Sequence, residues 1–160
     1  DTVIGPWSAE GVDAAGRLAD VFNRAGFDTR VVADVRSVMW SKLFINVGIN
    51  AITALTGIKN GQLLDLEQTR QLSREAVQVA ITVAGTQGIA IDGDPVEKVF
   101  QVAAATGANR SSMGQDVDNC RETEISAING FIVKTAQRAG VPVPVNRTLA
   151  VLVETLQSHF

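Results

Sequence analysis

Three polar residues are spaced so that they lie on one face of a helix, where their side chains could bind a ligand or take part in a reaction. Lys42, Asn46 and Asn50 follow one another at intervals of four residues within an otherwise apolar segment. At about 100° per residue in an α-helix, this spacing places their side chains within an arc of about 80°. Burying an ammonium group and two carboxamides is costly unless each finds a partner. The stripe therefore predicts either satisfied structural groups or the lining of a ligand cavity.

The two interpretations of this stripe differ in what the amides do. In the structural one, Asn46 and Asn50 bridge neighbouring helix ends and Lys42 extends to solvent. In the ligand-binding one, a cation with two adaptable amides suits a small anion that carries carbonyl and hydroxyl oxygens. Three aligned polar groups on one apolar helix favour the second interpretation. Asn60, near the start of the next predicted helical turn, could close the same pocket.

The stripe lies on a long helix that the sequence delimits at both ends. Asp34 is a plausible N-cap, and Gly57 stops the helix after about Leu55. Because this segment is apolar on nearly every face, we expect it to be buried almost all round. Apolar spacing and caps predict further elements, namely helices over 8–25, 64–87, 95–106 and 123–139, a helix opened by Asn146, and a brief strand at 29–33.

The predicted fold class is all-α, a multi-helix domain around one core. The short apolar run at 2–6 can form only an edge strand or the tail of a preceding domain, and we expect it to have no partner in this chain. Residues 1–7 are therefore assigned to that remnant and residues 8–160 to the helical domain. We expect no signal peptide, because no basic segment followed by an apolar core opens the sequence, and we expect the start to be a cut inside a longer protein.

Composition limits the partners. With 46% hydrophobic residues, surplus apolar surface is expected to meet another protein, although no apolar run is expected to be long enough to cross a membrane. The net charge of −3 argues against nucleic acid and against an anionic membrane surface. The single cysteine, Cys120, and the single histidine, His159, cannot make a disulfide or a metal cluster. A reducing, cytoplasmic setting is expected, with no metal.

Beyond these patterns, three blocks of sequence resemble the ketopantoate reductase family. The first is specific and contains Trp40-x-Lys42-Leu43-x-x-Asn46-x-x-x-Asn50. The second block contains Ser111-Ser112-Met113, which matches the family's serine-rich turn, and Thr123-Glu124-Ile125, which matches its Thr-Glu-Ile helix start. The third block, residues 140–149, matches the family's proline-containing tail. Blocks this far apart are unlikely to match together by chance, and with them the resemblance covers nearly the whole chain.

The resemblance implies a fold and a function. It implies a helical domain of the 6-phosphogluconate dehydrogenase C-terminal-like type, preceded by a Rossmann domain whose last strand is 1–7. The activity implied is NADPH-dependent reduction of 2-dehydropantoate to pantoate, in pantothenate and coenzyme A biosynthesis. Lys42 would be the general acid that protonates the keto oxygen, and Glu124 would face the cofactor or the hydroxyl side of the substrate. The substrate's carboxylate and hydroxyl would be bound by Asn46, Asn50, Asn60 and Ser112.

The sequence also departs from the family pattern. Gly114 stands where a larger apolar residue is usual, which predicts a looser serine turn, and Ser126-Ala127 replaces an expected aspartate and a frequent aromatic. These departures leave open a reductase of a different 2-keto acid. A non-enzymatic helical dimerisation or ligand-binding module is a further alternative. Both the substrate-binding domain of a reductase and the non-enzymatic module are expected to form a homodimer. Because the chain has no Gly-x-Gly-x-x-Gly motif, these residues alone are expected to be inactive.

Overall fold

The computed structural model describes residues 2–160, which contain two short strands and seven α-helices. In chain order the elements are β1 Thr2–Ile4, α1 Val12–Arg24, β2 Thr29–Val31, α2 Val35–Thr56, α3 Glu67–Thr86, α4 Pro95–Ala105, α5 Ser112–Asp118, α6 Asn129–Ala139 and α7 Pro144–Gln157. Short 3-10 helices precede α1 and α3, at Ala9–Gly11 and Gly61–Leu64. The all-α prediction is confirmed. The chain forms two compact units, one ending at Trp40 and the other Ser41–Phe160.

In the first unit, the N-terminal strand has a partner. β1 pairs in parallel with β2, with Thr2 opposite Thr29 and Ile4 opposite Val31. Two parallel strands need a crossover, and α1 supplies it and packs on both. The amide of Asn23, near the end of α1, is bonded to the backbone of Thr29 in both directions at 2.9 Å. The expectation that 2–6 has no partner in this chain was therefore wrong, because the strand predicted near residue 29 completes the pair.

In the second unit, α3 packs against α4, α6 and α7, and α6 packs against α7. Fully buried aliphatic side chains fill the space between them, among them Val77 of α3, Val99 of α4, Ile132 of α6 and Val153 of α7. The stretch of α2 from Val47 to Ala54 is buried on every face. This confirms the predicted burial for the second half of α2 only.

A buried amide network joins three of these helices. The Asn129 amide nitrogen donates to the Asn146 side-chain oxygen, and the Asn146 amide nitrogen donates to the carbonyl of Ala76, each at 2.9 Å. Both asparagines are fully buried. Asn146 was predicted to open the last helix, which was wrong, because Pro144 begins α7 and Asn146 lies inside it.

The predicted helix from Thr123 is also shorter than expected. Residues 124–128 form turns, and α6 begins only at Asn129. Thr123 caps a turn and not a helix: its hydroxyl oxygen accepts the backbone N–H of Ile125 at 3.3 Å. The same hydroxyl donates to the side-chain oxygen of Gln157 in α7 at 2.7 Å. The backbone of Ile128 (φ −102°, ψ −92°) then breaks the helical path.

Two other boundaries also need correction. α3 begins at Glu67 rather than at residue 64, because residues 61–64 form a 3-10 helix. The polar stretch after Asn109 contains α5, which was not predicted. The N-cap at Asp94 is confirmed, with its carboxylate accepting the backbone N–H groups of Val96 and Glu97.

α2 also corrects an expectation about membranes. By length and composition it is long and apolar enough to span one, and 56% of its most apolar window is buried inside the structure. The expectation that no run has the necessary length was therefore wrong. A helix at the centre of a packed core passes the same test, so this property does not by itself indicate a membrane.

Gly48 lies at a close contact of α2 with α3 and α4, which supports a prediction. A Cβ at Gly48 would lie 2.7 Å from Val99 Cγ1 and 2.8 Å from Val77 Cγ2. Alanine usually stabilises a helix interior by about 0.5–1 kcal/mol relative to glycine. Because overpacking costs about 1–3 kcal/mol, we expect Gly48→Ala to lower the free energy of unfolding in urea titration.

Gly85 of α3 provides the matched control for this substitution. A Cβ at Gly85 would meet nothing within 4 Å, so Gly85→Ala should be neutral or stabilising. Equal effects of the two substitutions would show that α2 is not packed as closely as described.

Candidate functional site

The polar stripe of α2 runs from solvent into the core of its unit. Lys42 is exposed, Asn46 is half-buried and Asn50 is only 5% exposed. At 1.5 Å per residue, Lys42 and Asn50 are separated by about 12 Å along the helix axis. The expectation of burial was therefore wrong at the lysine. The stripe has a charged end in solvent and an amide end inside.

The inner end of the stripe is joined to the start of α5. The hydroxyls of Thr53 and Ser111 are hydrogen-bonded at 2.7 Å, and both residues are buried. The Ser111 hydroxyl oxygen also accepts the backbone N–H of Gly114 at 3.0 Å, which makes Ser111 the N-cap of α5. Ser112 follows as the first residue of α5 and is exposed. The serine turn is thus fixed one helical turn beyond Asn50.

Arg110 also joins the end of α2 to α5. Its guanidinium donates to the carbonyls of Thr53 at 3.0 Å and Ile58 at 2.9 Å, close to the end of α2. It also forms a two-pronged pair with Asp118 at 2.9 and 2.7 Å. These hydrogen bonds hold the pKa of Asp118 below its ordinary value. Arg110 therefore ties both ends of α5 to the last turn of α2.

Gly114 makes room for this arginine. A Cβ at Gly114 would lie 3.0 Å from Arg110 Cζ and 3.1 Å from the Ser111 hydroxyl oxygen. The Gly114 carbonyl accepts from Arg110 at 3.2 Å. The prediction that Gly114 loosens the serine turn was wrong, because the volume that a larger residue would fill is taken by the arginine.

Asn60 is fixed by the loop between α4 and α5. Its backbone N–H donates to the carbonyl of Asn109 at 3.0 Å, and its side-chain nitrogen donates to the Thr106 hydroxyl at 3.0 Å. The next residue, Gly61, donates to the carbonyl of Gly107 at 3.2 Å. A Cβ at Gly61 would lie 2.8 Å from Gly107 Cα, so the two backbones touch. We call the segments 50–61 and 106–114 the asparagine junction.

Two amide atoms in the asparagine junction lack partners. Asn50 Nδ2 and Asn60 Oδ1 are both buried and make no hydrogen bond within residues 2–160. Unpaired buried polar atoms each cost about 1–3 kcal/mol, so they are rare without a reason. One is a donor and the other an acceptor. Asn50 Nδ2 can still donate a hydrogen bond, and Asn60 Oδ1 can still accept one.

Glu124 lies apart from this hydrogen-bond network. Its side chain is exposed, and its carbonyl accepts locally from Ala127 and Ile128. The preceding Thr123 is bonded to Gln157 of α7, which fixes the base of the turn. The hydrogen bonds thus bring together Asn50, Asn60 and the Ser111-Ser112 turn. Lys42 and Asn46 share α2 with Asn50.

The sequence analysis missed the residues that hold the site in place. Thr53 bonds to Ser111, the neighbour of Ser112, and Thr106 bonds to Asn60. Arg110 bonds to the carbonyl of Thr53. Their partners are 46 to 58 positions away in the chain. No local spacing can reveal such pairs, although Arg110 directly precedes the serine pair that was singled out.

Comparison with known proteins gives a consistent result. A family model described as the C terminal of ketopantoate reductase PanE/ApbA matches residues 34–157. The 2-dehydropantoate 2-reductase of Pyrobaculum aerophilum is 39% identical over 145 residues, which are 91% of this chain and 52% of that relative. The chain therefore spans about half the length of the curated relatives it matches.

Solved structures agree with the sequence relatives. The ketopantoate reductase of Ralstonia eutropha JMP134 superposes with a TM-score of 0.88 at 30% identity, over 98% of this chain and 51% of that one. The ketopantoate reductase of Staphylococcus aureus, described as dimeric, has a TM-score of 0.80 at 23% identity, over 91% and 51% of the two chains. At that identity the second match concerns the fold alone.

The fold and the matches first give the class of protein: the chain resembles the helical carboxyl-terminal domain of oxidoreductases. Within that class, the chain belongs to the ketopantoate reductase family.

Proposed function

We propose that the protein containing this chain reduces 2-dehydropantoate to pantoate with NADPH, and that residues 8–160 bind the substrate and supply the proton. Family membership supports the reaction. The observation that carries the substrate site is the pair of unpartnered buried atoms, Asn50 Nδ2 and Asn60 Oδ1. The substrate has keto and carboxylate oxygens for the first and a hydroxyl for the second, so it complements both.

In the proposed mechanism, Lys42 acts on the keto oxygen. A nicotinamide, when bound, supplies hydride to the carbonyl carbon. As the carbonyl π bond opens, negative charge develops on the oxygen, and the Lys42 ammonium stabilises that charge and transfers a proton to it. The product is the alcohol, and the neutral lysine recovers a proton from water. The exposure of Lys42 suits this last step, because water reaches it directly.

The other site residues orient the substrate. Asn50 donates to an oxygen of the 2-keto acid, and Asn60 accepts from the hydroxyl. Half-buried Asn46 lies between Lys42 and Asn50 on α2, and exposed Ser112 begins α5 beside the capped serine turn. Both side chains carry a donor group, and we assign them to the substrate's carboxylate. Because Arg110 and Thr53 fix the two segments to each other, the donors are preorganised and lose little freedom on binding.

The residues of this chain fit the nicotinamide cofactor only in part. Glu124 is exposed, and we assign its carboxylate to the cofactor side. The chain has no glycine-rich phosphate motif, so we assign pyrophosphate binding to a Rossmann domain of the longer protein, with 1–7 as its remnant. It follows that residues 1–160 alone should bind substrate weakly and turn nothing over.

The experiment that tests this function uses the full-length protein. NADPH oxidation is followed at rising concentrations of 2-dehydropantoate, with the Asn50→Leu variant alongside. We expect saturable turnover in the wild type and a KM raised about tenfold or more in the variant, since a buried donor to the substrate is lost. Absence of turnover with 2-dehydropantoate, or faster turnover of another 2-keto acid, would contradict the proposal.

We also propose that the protein is a cytoplasmic homodimer. Val151 and Leu152 of α7 are about half exposed, at 51% and 49%, and apolar side chains of this size commonly mark protein contacts when they cluster. The fold is shared with the dimeric enzyme of Staphylococcus aureus. Sedimentation equilibrium on the full-length protein should give twice the monomer mass, and a monomer mass at micromolar concentration would exclude the dimer.

A further inference from the structure

We propose that Thr106 is a positioning residue that sets which end of the Asn60 amide faces the substrate, and that it thereby makes a hydroxyl group on the 2-keto acid a requirement of this site. The inference rests on the proposed function, which places substrate at Asn60. Nothing in the family blocks of the sequence singles out Thr106. Thr106 is the C-cap residue of α4, and its hydroxyl accepts a hydrogen bond from the side chain of Asn60.

The orientation of the amide follows from the single hydrogen of a hydroxyl group. Thr106 Oγ1 lies 2.8 Å from the carbonyl oxygen of Val102, to which it donates. It also lies 3.0 Å from the Asn60 side chain. With the amide nitrogen facing Thr106, both hydrogen bonds form. With the amide reversed, two oxygens compete for one hydrogen and only one bond forms.

The remaining freedom of Asn60 is removed by its backbone. The Asn60 N–H is bonded to Asn109, and the Gly61 and Gly107 backbones are in contact. Asn60 as a residue is only 8% exposed, so its side chain cannot turn outward to solvent without moving the loop. Thr106 therefore leaves Asn60 Oδ1 on the side of the amide that faces away from Thr106, and within residues 2–160 that buried atom has no hydrogen-bond partner.

This polarity discriminates between substrates. A 2-keto carboxylate presents only acceptor oxygens near neutral pH, and an acceptor placed against Asn60 Oδ1 would be repelled. A hydroxyl on the adjacent carbon chain donates to it. Sites that bind a substrate hydroxyl with a buried group reject analogues without it far more strongly than apolar pockets reject a missing methylene, because the buried group is left unpaired.

The experiment compares 2-dehydropantoate with 3-methyl-2-oxobutanoate, which lacks the hydroxymethyl group, in full-length wild type, Thr106→Val and Thr106→Ser. Valine keeps the shape and removes the hydroxyl, so the amide of Asn60 is free to reverse. We expect the wild type to prefer the hydroxylated acid by about 100-fold or more in kcat/KM. The preference should fall about tenfold in Thr106→Val, with little change for 3-methyl-2-oxobutanoate, and return in Thr106→Ser.

Other outcomes overturn the role of Thr106. Equal losses on both acids in the valine variant would indicate only a structural role, and so would a preference that serine does not restore. A second readout is independent of turnover: hydrogen exchange of the Asn60 side-chain amide, followed by nuclear magnetic resonance, should accelerate in Thr106→Val. Unchanged exchange would refute the proposal. If the wild type does not reduce 2-dehydropantoate, the proposed function fails, and the exchange measurement still decides whether Thr106 orients Asn60.

Discussion

Lys42→Ala in the full-length protein should lower kcat for 2-dehydropantoate by about 10²- to 10⁴-fold, the usual contribution of a positioned general acid. The loss should appear mainly in kcat, because the proton is transferred only as charge develops on the keto oxygen. Lys42 is exposed and its side chain contributes little to the core, so thermal unfolding should be unchanged within error. Stopped-flow measurement of NADPH oxidation gives the rate.

Two further lysine substitutions give this experiment its controls. Lys42→Arg keeps the positive charge but does not give up a proton near neutral pH, so it separates electrostatic stabilisation from proton transfer and should stay well below wild type. Lys134→Ala removes another exposed lysine, on α6, and should leave turnover intact. Full activity in Lys42→Ala would remove this residue from the mechanism.

Asn146→Leu should lower the free energy of unfolding more than any of the other substitutions whose stability we predict, because it breaks a buried amide network. Leucine has the same branching and the same number of side-chain heavy atoms as asparagine, so no large cavity forms, but the Ala76 carbonyl and the Asn129 amide lose their partner. Each buried group left unpaired costs about 1–3 kcal/mol, which gives a total of about 2–6 kcal/mol for the two groups. For a domain of this size we expect Tm to fall by about 5–15 °C, as measured by calorimetry.

The neighbouring residues of the network sharpen this test. Asn129→Ala breaks one of the two hydrogen bonds and also removes an oxygen that is already unpaired, so it should cost less than Asn146→Leu. Arg147→Ala, at the next, exposed position of α7, should lie within about 0.5 kcal/mol of wild type. A loss in Asn146→Leu no larger than that of Arg147→Ala would mean that the amides do not hold α3, α6 and α7 together.

Local sequence signals predicted the parts of the fold that depend on neighbours in the chain. Asp94 caps α4 through the N–H groups two and three residues later, and such contacts are visible as spacing. The burial of α2 from Val47 onward follows from a pattern that is apolar on nearly every face of the helix. The same pattern could not show that Lys42 is exposed, because exposure depends on where the other helices end.

The errors share a physical origin in contacts between distant segments. Asn146 was predicted to be an N-cap because asparagine favours that position. Its side-chain amide instead hydrogen-bonds to Asn129 of α6 and to the carbonyl of Ala76 in α3. Thr123 does cap a turn, but its bond to Gln157 of α7 replaces continuation of the helix. In the site, Gly114 looked like a loosened turn because the arginine that occupies its space could not be inferred from sequence.

The backbone contact between Gly61 and Gly107 bears on how this site could be redesigned. Cα-level contact leaves no gap between the two loops for a larger side chain to fill, and any residue with a Cβ at 61 would push them apart. Laboratory evolution toward bulkier keto acids should therefore spare this glycine pair and accumulate changes along the exposed part of α2. Specificity at Asn60 should be altered by hydrogen-bond chemistry and not by volume.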